Sequence, residues 1–173
     1  ERNYDITGKD KISDALTAVL TRHSYHPIRD YLNGLQWDGV PRLDKIVIDY
    51  MGAEDNALNR AMCRKHFTAA VARVFQPGCK YDYCLIMSGA EGIGKSTLLA
   101  IMGGSWFNDS ITTTEGKEGM EQLRRAWLIE LGELSSIKRS DVEQVKAYLS
   151  KQVDIYRAAY GRRVSEHPRQ CVF

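Results

Sequence analysis

The chain has no apolar run approaching the ~20 residues that a membrane-spanning helix needs. Its first residues, Glu1-Arg2-Asn3-Tyr4, also lack the pattern of a secretory signal. A soluble, cytoplasmic protein is expected. Cysteine is scarce: Cys63, Cys79, Cys84 and Cys171 form neither a C-x-x-C pair nor the density of a disulfide framework. Reduced, mostly buried thiols are therefore expected in place of staples or a zinc site. There is no internal repeat and no low-complexity tract.

What remains is an ordinary globular composition, 43% hydrophobic and 27% charged over 173 residues, long enough for one good core and a small second subdomain. The net charge of +2 hides an asymmetry. Lys138 to Phe173 carries eight basic residues against four acidic ones, so that segment is net positive and the rest net negative. A charge run is usually a solvated face, but here it also suits a nucleic-acid surface.

Ile12, Leu16, Val19 and Leu20 recur at helical spacing, which predicts an amphipathic helix from about Lys9 to Arg22. Pro27 opens a short second helix and Gly34 closes it. Trp37-Asp38-Gly39-Val40-Pro41 reads as a loop, and Leu43, Ile46, Val47 and Tyr50 resume a helical face. A longer helix is predicted from about Asp55 to Phe75, burying Leu58, Met62, Phe67, Ala70, Val71 and Val74. Residues 1–78 thus read as an all-helical subdomain, and 79–173 as a second unit of different character.

That second unit begins with the apolar run Tyr83-Cys84-Leu85-Ile86-Met87, predicted as a strand. Directly after it stands Gly89-Ala90-Glu91-Gly92-Ile93-Gly94-Lys95-Ser96, the pattern G-x-x-x-x-G-K-S, followed by Thr97 and a helix to about Met102. Strand, glycine-rich loop and helix in this order make a phosphate-binding loop. Glycines let backbone N–H groups turn inward around phosphates, and the helix start adds the positive end of its dipole. Gly89 through Thr97 are the expected ATP contacts. Lys95 would reach the β- and γ-phosphates, and the Ser96 hydroxyl would hold Mg²⁺.

Hydrolysis also needs carboxylates at the end of a neighbouring strand. Ala126-Trp127-Leu128-Ile129-Glu130-Leu131 supplies a strand and Glu130 with Glu133 the carboxylates, although residues three apart in an extended strand point to opposite faces. Ser140-Asp141-Val142-Glu143 reads as a capping box for a helix carrying Val142, Val145 and Leu149. Val153-Asp154-Ile155-Tyr156-Arg157 alternates like a strand, Tyr160-Gly161-Arg162 is a turn, and Cys171-Val172-Phe173 starts another buried strand. His66 reads as a satisfied or exposed helical histidine, and Lys117 to Glu121 as a solvated connection. Trp37, Trp106 and Trp127 read as packing residues before base-stacking platforms.

The chain resembles the virulence-associated protein E-like ATPases of phages, prophages and mobile islands, which are grouped with superfamily 3 helicases in the AAA+ class. The resemblance rests on Tyr25-His26-Pro27, Leu35-Gln36-Trp37-Asp38-Gly39 with Arg42-Leu43, and Pro77-Gly78-Cys79-Lys80-Tyr81-Asp82. It continues through Glu121-Gln122-Leu123, Trp127 to Leu134, and Asp154-Ile155-Tyr156-Arg157 with Tyr160-Gly161-Arg162. It implies an α/β P-loop NTPase with a parallel-sheet core, and a hexamerising ATPase that moves or melts single-stranded or forked DNA. Gly89 to Ser96 would be its Walker A loop, and Glu130 with Glu133 would replace the usual adjacent acidic pair. The roles of metal holder and water activator stay open between the two, with Glu130 assigned to the metal and Glu133 to the water. Lys146, Asp154 and Arg157 fall in the segment leading to a DNA-contacting hairpin, which makes Lys146, Arg157 and Arg162 the candidate DNA contacts.

The chain departs from that family by ending before the expected polar sensor residue and before an arginine finger. The spacing of Arg157, Arg162 and Arg163 does not make any of them such a finger. A fragment or truncated copy with an incomplete sheet is expected. Two other classes stay open: an inactive regulator that uses a truncated ATPase fold to bind a replication partner, and a small-molecule P-loop kinase.

Overall fold

The computed structural model describes residues 8–132, 142–158 and 163–173, and divides into one unit ending at Leu35 and a second from Gln36 to Phe173. The first holds helix α1, Lys9–Arg22, and helix α2, Pro27–Gly34. Pro27 occupies the first turn of α2, where a missing N–H does no harm, and the His26 Nδ1 atom accepts from the Arg29 N–H at 3.3 Å. No residue of α1 is buried, and Leu16, Val19 and Leu20 are all more than half exposed. The periodicity of α1 is therefore present, without burial of its apolar stripe among the described residues.

In the second unit a 3-10 turn, Leu43–Lys45, leads into α3, Ile46–Met51. Gly52 ends that helix in the left-handed region at φ +68°, where a Cβ would be strained. Helix α4, Ala57–Phe75, is capped by the Asn56 side chain, which accepts from the Asn59 N–H at 2.8 Å. Its buried residues are Cys63, His66, Phe67, Ala70, Arg73 and Val74. This stripe is rotated from the predicted one: Leu58 and Val71 are exposed, and His66 and Arg73 take inward positions.

Helix α5, Lys95–Gly103, follows the glycine-rich loop; strand β1 is Phe107–Asn108, and helix α6 is Gly116–Glu121. The expected solvated connection at Lys117–Glu121 is thus helical. Strand β2, Leu128–Ile129, runs parallel to β1. Helix α7, Val142–Ser150, precedes an antiparallel hairpin of β3, Val153–Tyr156, and β4, Ser165–Pro168. The proposed capping residues Ser140 and Asp141 lie outside the described residues. No described helix is long and apolar enough to cross a membrane.

Two backbone bonds insert the segment around Val172 beside β2, on the side away from β1. The Ile129 N–H donates to the Val172 carbonyl, and the Val172 N–H to that of Trp127, each at 3.0 Å. On its other side this segment meets the lead into the glycine loop, where the Leu85 N–H donates to the Phe173 carbonyl at 3.1 Å. The spatial order is therefore the Leu85 segment, the Val172 segment, β2, β1. The predicted strand at Tyr83–Met87 does not form a regular ladder; among the described residues its backbone bond across the sheet is the one from the Leu85 N–H to the Phe173 carbonyl.

The core lies on both sides of these strands. Val47, Cys63 and Phe67 are buried and pack with the partly buried Leu85, Met87, Leu98, Leu99 and Met102; burial of a side chain such as Val47 or Phe67 contributes about 1.5–3 kcal/mol. Helices α3 and α4 are thereby joined to both sides of the glycine loop. Opposite, Ala126, Ile129, Tyr148, Cys171 and Phe173 form a second cluster with Leu123. Gly103 allows α5 to approach the sheet, since a Cβ there would stand 2.9 Å from the Phe107 Cβ.

Candidate nucleotide site

The loop Gly89–Gly94 departs from the lead segment and turns sharply at Gly92, φ +78°, and Gly94, φ +92°. Both lie in the left-handed region, which costs an L side chain roughly 1–2 kcal/mol. Gly94 is also the N-cap of α5 and brings no side chain to cap it. The first-turn N–H groups of α5 therefore have no capping side chain, the arrangement that receives an anion. Gly89 meets a different constraint: a Cβ would stand 2.9 Å from the Ile93 Cδ1. Ala90, Glu91, Ile93 and Thr97 are exposed around this cradle.

Lys95 folds back over the loop, its Nζ donating to the carbonyls of Gly89 at 2.8 Å and Ala90 at 2.7 Å. Its ammonium group thus stands beside the backbone that would surround a phosphate. The Ser96 hydroxyl donates to Glu130 Oε1 at 2.6 Å, bridging 34 residues of sequence. Glu130 sits just past the end of β2, where its N–H donates to the Asn108 carbonyl at 2.9 Å. Its second carboxylate oxygen, Oε2, is buried without a hydrogen-bond partner. A buried carboxylate oxygen left unpaired is costly, and a cation beside Ser96 would relieve it.

These residues fit a magnesium nucleotide. Among the described residues no three His, Cys, Asp or Glu side chains are grouped to hold a metal ion. Mg²⁺ does not need such a cage, because it is commonly held by one or two protein oxygens with phosphate oxygens and water. Ser96 and Glu130 would supply the protein oxygens.

Two buried arginines support the site, and the sequence reading missed both. Arg73 on α4 donates to the carbonyls of Cys171 at 2.9 Å, Tyr81 at 3.1 Å and Cys79 at 3.3 Å. It ties the lead of the glycine loop to the Val172 segment, and burial lowers its pKa from the usual value. Arg169 is paired with Asp154 at 2.7 and 2.9 Å, donates to the Tyr148 carbonyl and lies over the Tyr148 ring. Asp154 is therefore buried in an ion pair that fixes the hairpin on α7. Arginine is mostly exposed in proteins, so a single sequence carries no signal for either burial.

The histidine and tryptophan readings resolve individually. His66 is buried, its Nδ1 3.2 Å from the Tyr81 hydroxyl, and burial pushes its pKa down to about 4. Trp127 is a packing residue whose Nε1 donates to the Ala70 carbonyl at 2.8 Å. Trp37, by contrast, is 78% exposed, its indole N–H bonded only to its own loop at Val40.

Two of the candidate DNA contacts, Lys146 and Arg157, fall among the described residues. Lys146 is exposed on α7 and paired with Glu143 at 2.8 Å. Arg157 is exposed immediately after β3. Glu133 and Arg162 lie outside the described residues.

No curated protein matches the chain. Residues 32–173 match the description of the Virulence-associated protein E-like domain. A glycine cradle at a helix start, its lysine, and a serine joined to a strand-end carboxylate are the parts expected of a P-loop NTPase type. The match spans well over half of the chain, and this protein belongs to the Virulence-associated protein E-like domain family.

Proposed function

We propose that this chain is the ATP-binding and ATP-hydrolysing domain of a DNA helicase-like replication protein of a phage, prophage or mobile island, working in the host cytoplasm. The observation that carries the reading is the Ser96–Glu130 hydrogen bond, with the partnerless Glu130 Oε2 next to the Lys95 loop. A phosphate-binding loop alone needs no carboxylate. One held against its serine is suited to hydrolysis.

In this mechanism the loop amides and the N-terminal turn of α5 grip the triphosphate tail, and Lys95 leaves its two carbonyls for the β- and γ-phosphates. Ser96 and Glu130 would hold Mg²⁺, which would supply neutralisation of charge developing on the phosphates. Glu133 polarises the attacking water. Lys146, Arg157 and Arg162 contact DNA phosphates, and the parent protein assembles as a ring, with six subunits as in superfamily 3 helicases.

ATP turnover with and without single-stranded DNA tests this proposal. Wild-type turnover should rise with DNA, and Glu130→Gln should keep ATP-analogue affinity within a few-fold while losing turnover. A wild-type chain that binds no ATP refutes the proposal. One that turns over only with a small acceptor molecule makes it a kinase, and Glu130→Gln turnover equal to wild type removes the carboxylate from the chemistry.

A further inference from the structure

The turn between α6 and β2 carries two adjacent arginines, Arg124 and Arg125, and both are exposed. Arg125 sits at φ +67°, the one non-glycine residue in the left-handed region among the described residues. Such a conformation is disfavoured for arginine and persists where the surroundings impose it. Helix α6 packs on β3, and the turn continues from it. Burial raises the pKa of the Tyr156 phenol, the last residue of β3, and the charge of Arg124 opposes that shift. With α6 packed on β3, the turn lies towards the connected end of the β3–β4 hairpin, where Tyr156 pairs with Ser165, Arg157 follows β3 and Arg163 precedes β4.

The nearby acids are mostly engaged. Glu121 is 3.3 Å from Lys117, and Asp154 is locked to Arg169. Arg124, Arg125, Arg157 and Arg163 make no ion pair among the described residues. The described hairpin strands carry one carboxylate without an ion pair, the exposed Glu166. Tyr156 adds a buried hydroxyl with no partner.

We propose that Arg124 and Arg125 join the hairpin arginines Arg157 and Arg163 in one docking surface for the phosphate backbone of single-stranded DNA. The proposal rests on the DNA-binding part of the function given above and adds a contact on a different element. Guanidinium forks match phosphate oxygens bidentately, and they read backbone without sequence. Arg124 and Arg125 are set apart from the nucleotide: they precede β2, whereas Glu130 follows it and bonds Ser96 at its other end. A strand docked at the turn would bear on the same β2 that carries Glu130, which gives DNA a direct route to the hydrolytic carboxylate.

Fluorescence anisotropy of a labelled single-stranded oligonucleotide across a salt series tests the surface, using the full chain. The comparison is wild type against the double variant Arg124→Gln/Arg125→Gly and against Arg157→Gln. Glycine suits φ +67°, so the double variant should melt no lower than wild type and bind a non-hydrolysable ATP analogue equally well. Each phosphate contact contributes about 0.7 to the slope of log affinity against log salt on single strands. The double variant should therefore bind DNA more weakly, with a slope shallower by about 1.4.

Unchanged affinity and slope in the double variant, with both reduced in Arg157→Gln, would overturn the added contact and leave the broader function standing. Loss of ATP-analogue affinity in a double variant that melts normally would assign the arginines to the nucleotide and also overturn it. Wild-type protein that binds no oligonucleotide even at low salt would remove the DNA-binding reading together with this one.

Discussion

Replacing Lys95 with alanine separates the role of its ammonium group from that of the loop backbone. Lys95 donates to two carbonyls of residues that are themselves exposed. Water replaces such bonds at a net loss of under about 1 kcal/mol, so Lys95→Ala should melt close to wild type. With ATP bound, the same Nζ would meet phosphate oxygens, and hydrogen bonds to charged groups contribute about 1.5–3 kcal/mol each. Two of them, less the two loop bonds given up, leave about 2–5 kcal/mol, which is roughly a 30-fold to few-thousand-fold loss of affinity. Isothermal titration with a non-hydrolysable ATP analogue and Mg²⁺ measures it. The loss should be largest for ATP, smaller for ADP and absent for AMP, because the reach is to the β- and γ-phosphates. An ATP affinity within threefold of wild type, or an equal loss for AMP, would refute the phosphate role of Lys95.

Arg73→Met should lower stability by about 2–4 kcal/mol, because three carbonyls lose a charged donor while relief from burying the cation returns only part of the difference. Urea unfolding measures this, and a variant as stable as wild type would show that the guanidinium contributes nothing net. His66 is neutral when buried, with a folded pKa of about 4 against about 6.5 in the unfolded chain. The unfolded state therefore binds the extra proton, and stability present above pH 6.5 is lost as pH falls towards 4. That difference corresponds to at most about 3 kcal/mol. His66→Gln should flatten this part of the pH profile in urea unfolding, and an identical profile in the variant would assign the acid sensitivity elsewhere.

Local features were legible in the sequence where a nearby residue suffices to set the backbone. Pro27 and Gly34 bound α2 as read, and the helix from Lys9 to Arg22 has the predicted ends. Gly92 and Gly94 turn the loop because their own φ values require no Cβ. Burial was less legible. Leu58 and Val71 fit a helical stripe as well as His66 and Arg73 do, and only the neighbours on the sheet decide which stripe turns inward. Helix α6 escaped because Gly116 and Gly119 weaken a six-residue helix in isolation. Here Gly119 is needed for closeness, since a Cβ would stand 2.9 Å from the Thr114 backbone, and its carbonyl accepts from the Tyr148 hydroxyl at 2.7 Å.

By itself the sequence determined the glycine-rich loop, the lysine and serine that follow it, and the helices on either side, since these depend on turn geometry and periodicity within a few residues. Tertiary structure alone decided that the Val172 segment lies between Leu85 and β2, and that Glu130 meets the Ser96 hydroxyl from 34 residues away. It also decided that Arg73 and Arg169 are buried. Pairing of distant strands and burial of polar groups draw their free energy from partners far along the chain, and no local pattern encodes which partner will arrive.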